Sequence, residues 1–405
     1  MNEIVIKRTT YLDKLQSMKD LNVIKVITGV RRSGKSTLLE MFRNRLIKDG
    51  VPKKNIVAIN FEEMENSNLR DATTLHSYVM KNLGKGKNYV FLDEIQAVPN
   101  FEKVVDSLYV KKNIDLYITG SNAYFLSSDL ATVLSGRYIE LNVFPLSFAE
   151  YAGAFGDNSR LDLRLDDYLV YGGFPEVTKL LIAEQNDVIN DYLLGLYNTV
   201  ITKDVVERNN IVDITTLNNI SRFMLSNVGN LTSPQKIADY LTSQNNKTAR
   251  ATVEKYLSAL SSALIFYRVD RKDIKGKQLL QTQQKYYPVD TGLRRTMLGN
   301  AGTTEVGHLL ESVVYFELLR RRNFVWVGKQ KGLEVDFMAR NMDTDEIVYY
   351  QTAYTAKDED TLNREMRPLE TINDHRQKIL LTTDPHEFDK DGIKHVNVID
   401  WLLGN

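Results

Sequence analysis

The chain contains no cysteine, which excludes disulfides, thiol catalysis and cysteine-ligated zinc. It also lacks any apolar run near the roughly 20 residues that a membrane span needs. Its net charge is zero, with 52 basic and 52 acidic residues. No global field therefore draws it onto nucleic acid or an anionic membrane, and any such contact must be local. The opening stretch MNEIVIKRTT is charged and has no apolar core, so no signal peptide is expected. Repeats and low-complexity segments are absent. Together these absences predict a soluble, cytoplasmic protein without membrane contact.

What is present is enough apolar material for real cores, 43% of 405 residues. At about 150 residues per domain, that length predicts two or three domains. Val23-Ile24-Lys25-Val26-Ile27 is a short β-branched run that reads as a buried strand. It leads into Gly29-Val30-Arg31-Arg32-Ser33-Gly34-Lys35-Ser36, after which Thr37 to Arg43 begins a helical pattern. Strand, glycine loop and helix together form the context of a phosphate-binding loop. The two glycines let backbone N–H groups turn inward on phosphate oxygens, and the helix N-terminus adds partial positive charge. Lys35 is placed to neutralise the β- and γ-phosphates, and the Ser36 hydroxyl to hold Mg²⁺. A plain glycine turn with an exposed lysine is the alternative.

A second motif strengthens the first. Tyr89-Val90-Phe91-Leu92-Asp93-Glu94 is a hydrophobic strand ending in two acids, the Walker B pattern. Asp93 would reach Mg²⁺ through water and Glu94 would polarise the attacking water. Further on, Ile114 to Asn122 is a strand ending in a small polar cluster. In ATPases with a strand inserted between the two Walker strands, a polar sensor of the γ-phosphate sits at that point. Ser121 and Asn122 are the candidates, with an ordinary Gly-Ser-Asn turn as the other reading. Ile56–Phe61 and Tyr138–Val143 complete the strands. Helical stretches lie between them, which predicts an α/β fold with a mostly parallel sheet covered on both faces.

GVRRSGKST, FLDEIQ, ITGSN, SGRYIEL and FPLSFAEY occur in this order, followed by YGGFPEV and ITKDVVERN. With these segments the chain resembles AAA+-related bacterial and archaeal ATPases that carry an uncharacterised C-terminal domain, and the resemblance covers nearly the whole chain. It implies ATP and Mg²⁺ as ligands. It also makes Arg137 a candidate charge-stabilising arginine, acting within the chain or on a neighbouring copy; pairing with a nearby acid is the alternative.

From Leu161 to Asn230 the pattern is helical, broken at Gly172-Gly173 and Pro175, and reads as a lid. Ser233 to Leu241 begins a capped helix with proline in its first turn. A polar turn and a second amphipathic helix follow, then two strands around a loop, a winged-helix pattern. Its wing holds six basic residues (Arg268, Arg271, Lys272, Lys275, Lys277 and Lys285) against Asp270 and Asp273. That surplus of four suits either a DNA backbone or a packing module with solvated lysines.

The remainder, a helix from Glu305 to Arg322 and three strands, resembles the core of restriction-endonuclease-like proteins. Active members bind metal and position water with an Asp on one strand and a Glu/Gln-x-Lys on the next, often with a helical Glu. The matching positions here are Asp336, Gln351, Ala353 and Glu311. Alanine stands in the lysine position, and an acid with an amide makes a poor site for a hard metal. Nuclease activity is therefore not expected, and Asp336 and Glu334 also read as ordinary hairpin residues. Lys329 and Lys331 on the preceding hairpin are the first lysines to consider as substitutes.

The expected organisation is an ATPase core over residues 1–155, a helical lid over 156–230, a winged-helix-like domain over 231–298 and an inactive nuclease-like domain over 299–405. The expected function is a Mg²⁺-dependent ATPase whose nucleotide state, ATP or ADP, controls the attached domains. The rivals are an ATP-switched DNA-binding regulator with little hydrolysis, and an ATP-gated nuclease. Protein partners or a second copy of the chain complete the expected contacts.

Overall fold

The computed structural model describes residues 4–121, 134, 136–157, 159–276, 278–299, 305–385 and 387–404. They form two compact units. The first is Val5–Pro145 with Ser262–Leu264, and the second takes Leu146–Ser261 and Ile265–Asn405.

The first unit is built on five strands: β1 (Ile24–Thr28), β2 (Ile56–Asn60), β3 (Asn88–Asp93), β4 (Ile114–Gly120) and β5 (Tyr138–Asn142). Their spatial order is β2-β3-β4-β1-β5, and every neighbouring pair is parallel. The sheet is therefore of the kind the sequence predicts, with β4 inserted between the strands that carry the glycine loop and the paired acids. All residues of β1 and β4 are buried, as expected for central parallel strands covered on both faces. Ile24 and Val26 point into one apolar core and Ile27 into another on the opposite face. Lys25 is the polar exception in β1. Its ammonium pairs with buried Asp115 on β4 and donates to the Leu21 carbonyl at 2.8 Å.

The second unit begins with helices, among them Phe148–Ala154, Leu161–Tyr171, Pro175–Ile182, Ile189–Thr199 and Ile214–Ser226. The Gly172-Gly173 break has a clear physical cause. The Asp290 carboxylate lies so close that a Cβ on Gly172 would meet it at 1.9 Å, and Gly172 sits at φ +80°. Asp290 accepts from the Gly173 N–H at 2.7 Å and the Gly292 N–H at 2.9 Å. It thereby ties this break to the start of the helix Thr291–Leu298.

The two expected helices of the winged-helix pattern are Pro234–Ser243 and Arg250–Ser262, followed by β6 (Phe266–Asp273) and β7 (Leu279–Pro288). After the helix Val306–Arg320 come β8 (Asn323–Gln330), β9 (Leu333–Asn341), β10 (Ile347–Thr352), β11 (Gln377–Thr382), β12 (Phe388–Lys390) and β13 (Ile393–Asn397). All eight strands form one sheet, ordered β12-β13-β11-β10-β9-β8-β6-β7. β6 pairs in parallel with β8, Arg271 opposite Val327. The boundary expected between residues 298 and 299 thus lies inside one unit, and strands from both sides of it share hydrogen bonds.

Candidate nucleotide site

β1 ends at Thr28 and the helix α2 (Lys35–Lys48) begins seven residues later. The turn between them needs its glycines. Gly34 caps α2 at φ +95°, and Gly29 sits at φ +152° where a Cβ would meet the Val143 carbonyl at 2.2 Å. Side chains are disfavoured at such angles. Arg32 also takes a positive φ of 65°, a conformation that costs a non-glycine residue about 1–3 kcal/mol and tends to cluster at functional sites. Arg8 holds this loop. Its buried guanidinium donates to the Ser33 carbonyl at 3.0 Å and the Phe144 carbonyl at 2.9 Å. Nothing in the local sequence around Arg8 signals this role.

Lys35 is only 4% exposed. Its ammonium donates to the carbonyls of Gly29 at 3.1 Å and Val30 at 3.3 Å, and lies 3.5 Å from Glu94. Ser36 hydrogen-bonds Asp93. Val30, Ser33 and Thr37 take their expected places in the loop and the first turn of α2. Arg31 turns outward to Glu62 at 2.8 Å.

The acids meet the loop from β3. Burial raises the Asp93 carboxyl above its ordinary range, against the hydrogen bonds from Thr119 and Ser36. Burial would also raise Glu94, but the Lys35 ammonium, the Gln96 amide, Arg31 and Ser121 bring it below the ordinary glutamate value. Glu94 itself sits at φ +55°. Its backbone N–H donates to the Thr119 hydroxyl at 2.8 Å, the same hydroxyl that donates to Asp93. Thr119 and Gln96 are thus part of the site, whereas the sequence pattern points here only to Ser121 and Asn122. Ser121 is buried beside Glu94, and Asn122 lies outside the described residues. Ser36, Thr37, Asn60, Glu63 and Asp93 line a cavity of about 260 Å³ next to this group.

Arg137 is not brought to the site. It precedes β5, and Ile24 at the start of β1 donates to its carbonyl at 2.8 Å, which puts it at the end of the sheet opposite the loop. Its guanidinium pairs with Asp106. The contact it makes is the acid pairing, the alternative to a charge-stabilising role.

Comparisons with known proteins agree with this geometry. The model of an AAA domain matches residues 21–152, and that of a domain of unknown function, DUF8612, matches residues 162–304. An uncharacterized protein of Haemophilus influenzae is 39% identical over 409 aligned residues, which span all of both chains. An uncharacterized protein of Methanocaldococcus jannaschii is 32% identical over 78% of this chain and 72% of its own. The chain belongs to their family of AAA-domain proteins. A Walker-type ATPase of Pyrococcus abyssi shares the fold at 15% identity, with a TM-score of 0.52 over 73% of this chain and 96% of its own. The AAA-domain protein thus has the fold of an AAA+ P-loop ATPase. No helix among the described residues is long and apolar enough to cross a membrane.

A second constellation lies in the other unit of this AAA-domain protein. Glu311 on the helix Val306–Arg320 and Asp336 and Glu334 on β9 converge on one cation, and that cation is Lys285 of β7. Gln351 donates to Glu365 at 3.0 Å, and its carbonyl oxygen accepts from the Asp336 backbone N–H at 3.3 Å. Ala353 is buried. Lys329 and Lys331 do not join the carboxylates; Lys331 occupies the β8–β9 turn at φ +48°. Lys285 belongs by sequence to the basic wing, but its burial removes it from any solvent-facing surface. Lys272 lies over the Trp326 ring at 4.2 Å and Arg268 pairs with Asp270 at 3.2 Å. Lys277 lies outside the described residues.

Proposed function

We propose that this chain is a Mg²⁺-dependent ATPase whose nucleotide state controls the helical, winged-helix-like and nuclease-like parts of its second unit. The observation that carries the reading is Lys35, buried and held by two long hydrogen bonds to neutral carbonyls beside the start of α2. A triphosphate offers that ammonium stronger, charge-assisted partners, and the helix N-terminus favours the same negative charge.

The donors next to it fit Mg²⁺. One carboxylate, Asp93, and one hydroxyl, Ser36, are in mutual contact, and Mg²⁺ prefers a few protein oxygens completed by phosphate and water. When bound, the ion neutralises charge developing on the transferred phosphoryl group. The chain's own residues do the rest. Lys35 leaves the loop carbonyls for β- and γ-phosphate oxygens. Glu94, ionised at neutral pH and steadied by Gln96, accepts a hydrogen bond from the attacking water and aligns it with the γ-phosphorus. The water oxygen forms the new P–O bond as the bond to the bridging oxygen breaks. ADP and phosphate leave, with the water's proton passing to Glu94 or to a phosphate oxygen. Thr119 holds Asp93 and the Glu94 backbone in register.

Replacing Glu94 by Gln tests this assignment. The variant should bind ATP as the parent does and hydrolyse it about 10²-fold more slowly or worse, the scale for a general base. Turnover at the parent rate would remove Glu94 from the mechanism. Duplex DNA binding through the β6–β7 hairpin has weaker support, because Lys285 is buried and Lys272 and Arg268 already have partners within the chain.

A further inference from the structure

The carboxylate cluster of the second unit is separate from the nucleotide reading and does not depend on it. The Lys285 ammonium lies 2.7 Å from Glu311, 2.7 Å from Glu334 and 3.8 Å from Asp336. The Tyr287 hydroxyl also donates to Glu311, at 2.5 Å, and the His308 imidazole lies 3.3 Å from it. The second oxygen of Asp336 accepts from the backbone N–H and the hydroxyl of Thr352, each at 2.9 Å. Four elements therefore aim polar groups at one point: β7, β9, the end of β10 and the helix Val306–Arg320.

A divalent metal does not fit this cluster while the Lys285 ammonium fills it. Among the described residues, no group of three or more His, Cys, Asp or Glu side chains is arranged to hold a metal ion. The point on which the carboxylates converge is filled by an ammonium that is 2% exposed. A hydrolytic metal centre keeps open positions for water and substrate, whereas Glu311, Asp336 and Gln351 are all buried. Only Glu334 and His308, each with a 33%-exposed side chain, reach the rim.

We infer that Lys285 is the resident cation of this cluster. Its ammonium takes the place a nuclease-like centre would give to a divalent metal, which makes the centre a closed, metal-free ion cluster and not a hydrolytic site. The charges are consistent with a cation of this size. Burial and the neighbouring Glu311 push the Asp336 carboxyl up to about 7, against the pull of Lys285. The hydrogen bond to Glu311 raises the His308 imidazole. The ammonium thus offsets one of the three carboxylate charges, and the raised Asp336 and His308 groups reduce what is left. The lysine missing at Ala353 has not been replaced by a catalytic equivalent; Lys285 of β7, at the far edge of the same sheet, supplies a plug.

The inference makes a definite forecast for the nucleotide-free full chain with Mn²⁺, followed by electron paramagnetic resonance and thermal unfolding. The parent and Asp336→Asn should take up the same amount of Mn²⁺. Lys285→Ala empties the convergence point and should take up one additional Mn²⁺ per chain. Its lowered unfolding midpoint should rise with Mn²⁺, and both gains should vanish in Lys285→Ala/Asp336→Asn. Should Lys285→Ala not fold, Lys285→Met keeps the aliphatic stem, and folding of either variant only with Mn²⁺ supports the inference. It is overturned by Asp336-dependent Mn²⁺ uptake in the parent, or by plasmid nicking by the parent that Asp336→Ala abolishes. A folded Lys285→Ala that ignores Mn²⁺, or failure of both variants to fold with or without the ion, overturns it equally.

Discussion

Lys35 and Lys285 are both almost fully buried, at 4% and 2% exposure, and both face carboxylates. Their surroundings set them to opposite uses. Lys35 makes bonds of 3.1 and 3.3 Å to neutral carbonyls and stands 3.5 Å from Glu94. Lys285 makes ion pairs of 2.7 Å to two carboxylates, with a third close by. Around Lys35 polarity is left over: the buried Ser33 hydroxyl has no hydrogen-bond partner among the described residues. A cavity opens beside the same group. A buried polar group without a full set of partners costs stability, and a ligand that supplies them recovers that cost. Around Lys285 the protein supplies the partners itself. The lesson is that a buried lysine marks a ligand site when its partners are weak and exchangeable, and a structural one when they are short and ionic.

The comparison breaks first if the two lysines respond alike to removal. Lys285→Met should lower the stability of the second unit by about 3–5 kcal/mol, the usual cost of leaving buried carboxylates without their cation. Its ATP affinity should match the parent's. Urea unfolding and calorimetry read the two quantities, and a loss below about 1 kcal/mol would show that the pair was never tightly coupled. Lys35→Ala should do the reverse, changing stability little and weakening ATP binding at least tenfold, about 1.4 kcal/mol. Equal ATP affinity in parent and variant would end the assignment of the loop.

Asp290 offers a subtler contrast, since it is a buried carboxyl with no cation in hydrogen-bond contact. Burial pushes it up to about 7, opposed by the N–H groups of Gly173, Gly292 and Leu293 and by the more distant Arg320. Between about pH 4 and 7 the folded chain keeps a proton there that the unfolded chain has lost. The contribution of Asp290 to stability is therefore full below pH 4 and declines as the pH rises through this window, on the order of 1 kcal/mol per unit. Asp290→Asn should be less stable at pH 5, having one acceptor oxygen where the carboxyl group has two, but should lose less between pH 5 and 7.5. Parallel stability profiles for parent and variant would mean that Asp290 does not titrate in this range.

The two sites also differ in how far they could be read from the sequence. The nucleotide site is local: Gly29 to Thr37 is one stretch, Asp93-Glu94 another, and the phosphate chemistry fixes their spacing. The parallel sheet followed from the same runs of β-branched residues. Arg8, Thr119 and Gln96 carry no sequence signature because their work is to hold other residues, and no spacing rule links Arg8 to a carbonyl 25 positions away. The carboxylate cluster is assembled from β7, β9 and a helix, so its cation could only be found once the hairpin was seen to join the larger sheet. In the sequence Lys285 follows the polar run Gln281-Thr282-Gln283-Gln284 and precedes Tyr286 and Tyr287, so nothing marks it as buried. A count of wing charge cannot tell a buried lysine from an exposed one.

Arg137 is a third cation on which the contrast can be sharpened. It belongs to neither class, being about half exposed and paired with an equally exposed Asp106. β5 runs parallel to β1, so the five residues Tyr138–Asn142 separate Arg137 from the loop end of the sheet. That is about 15 Å at the rise of an extended strand, too far for a guanidinium to reach phosphate bound at Lys35. Surface pairs of this kind contribute about 0–1 kcal/mol. Arg137→Ala should therefore change stability by less than that and leave the ATP turnover of the chain within about twofold, since no contact to the site is lost. A fall of tenfold or more would contradict a purely structural pair, and a mixing experiment would then give the reason. If turnover by Arg137→Ala recovers on adding an excess of Lys35→Ala chains, which cannot use ATP but keep Arg137, the arginine acts on a neighbouring copy. If it does not recover, the pair with Asp106 transmits to the site through β5 itself.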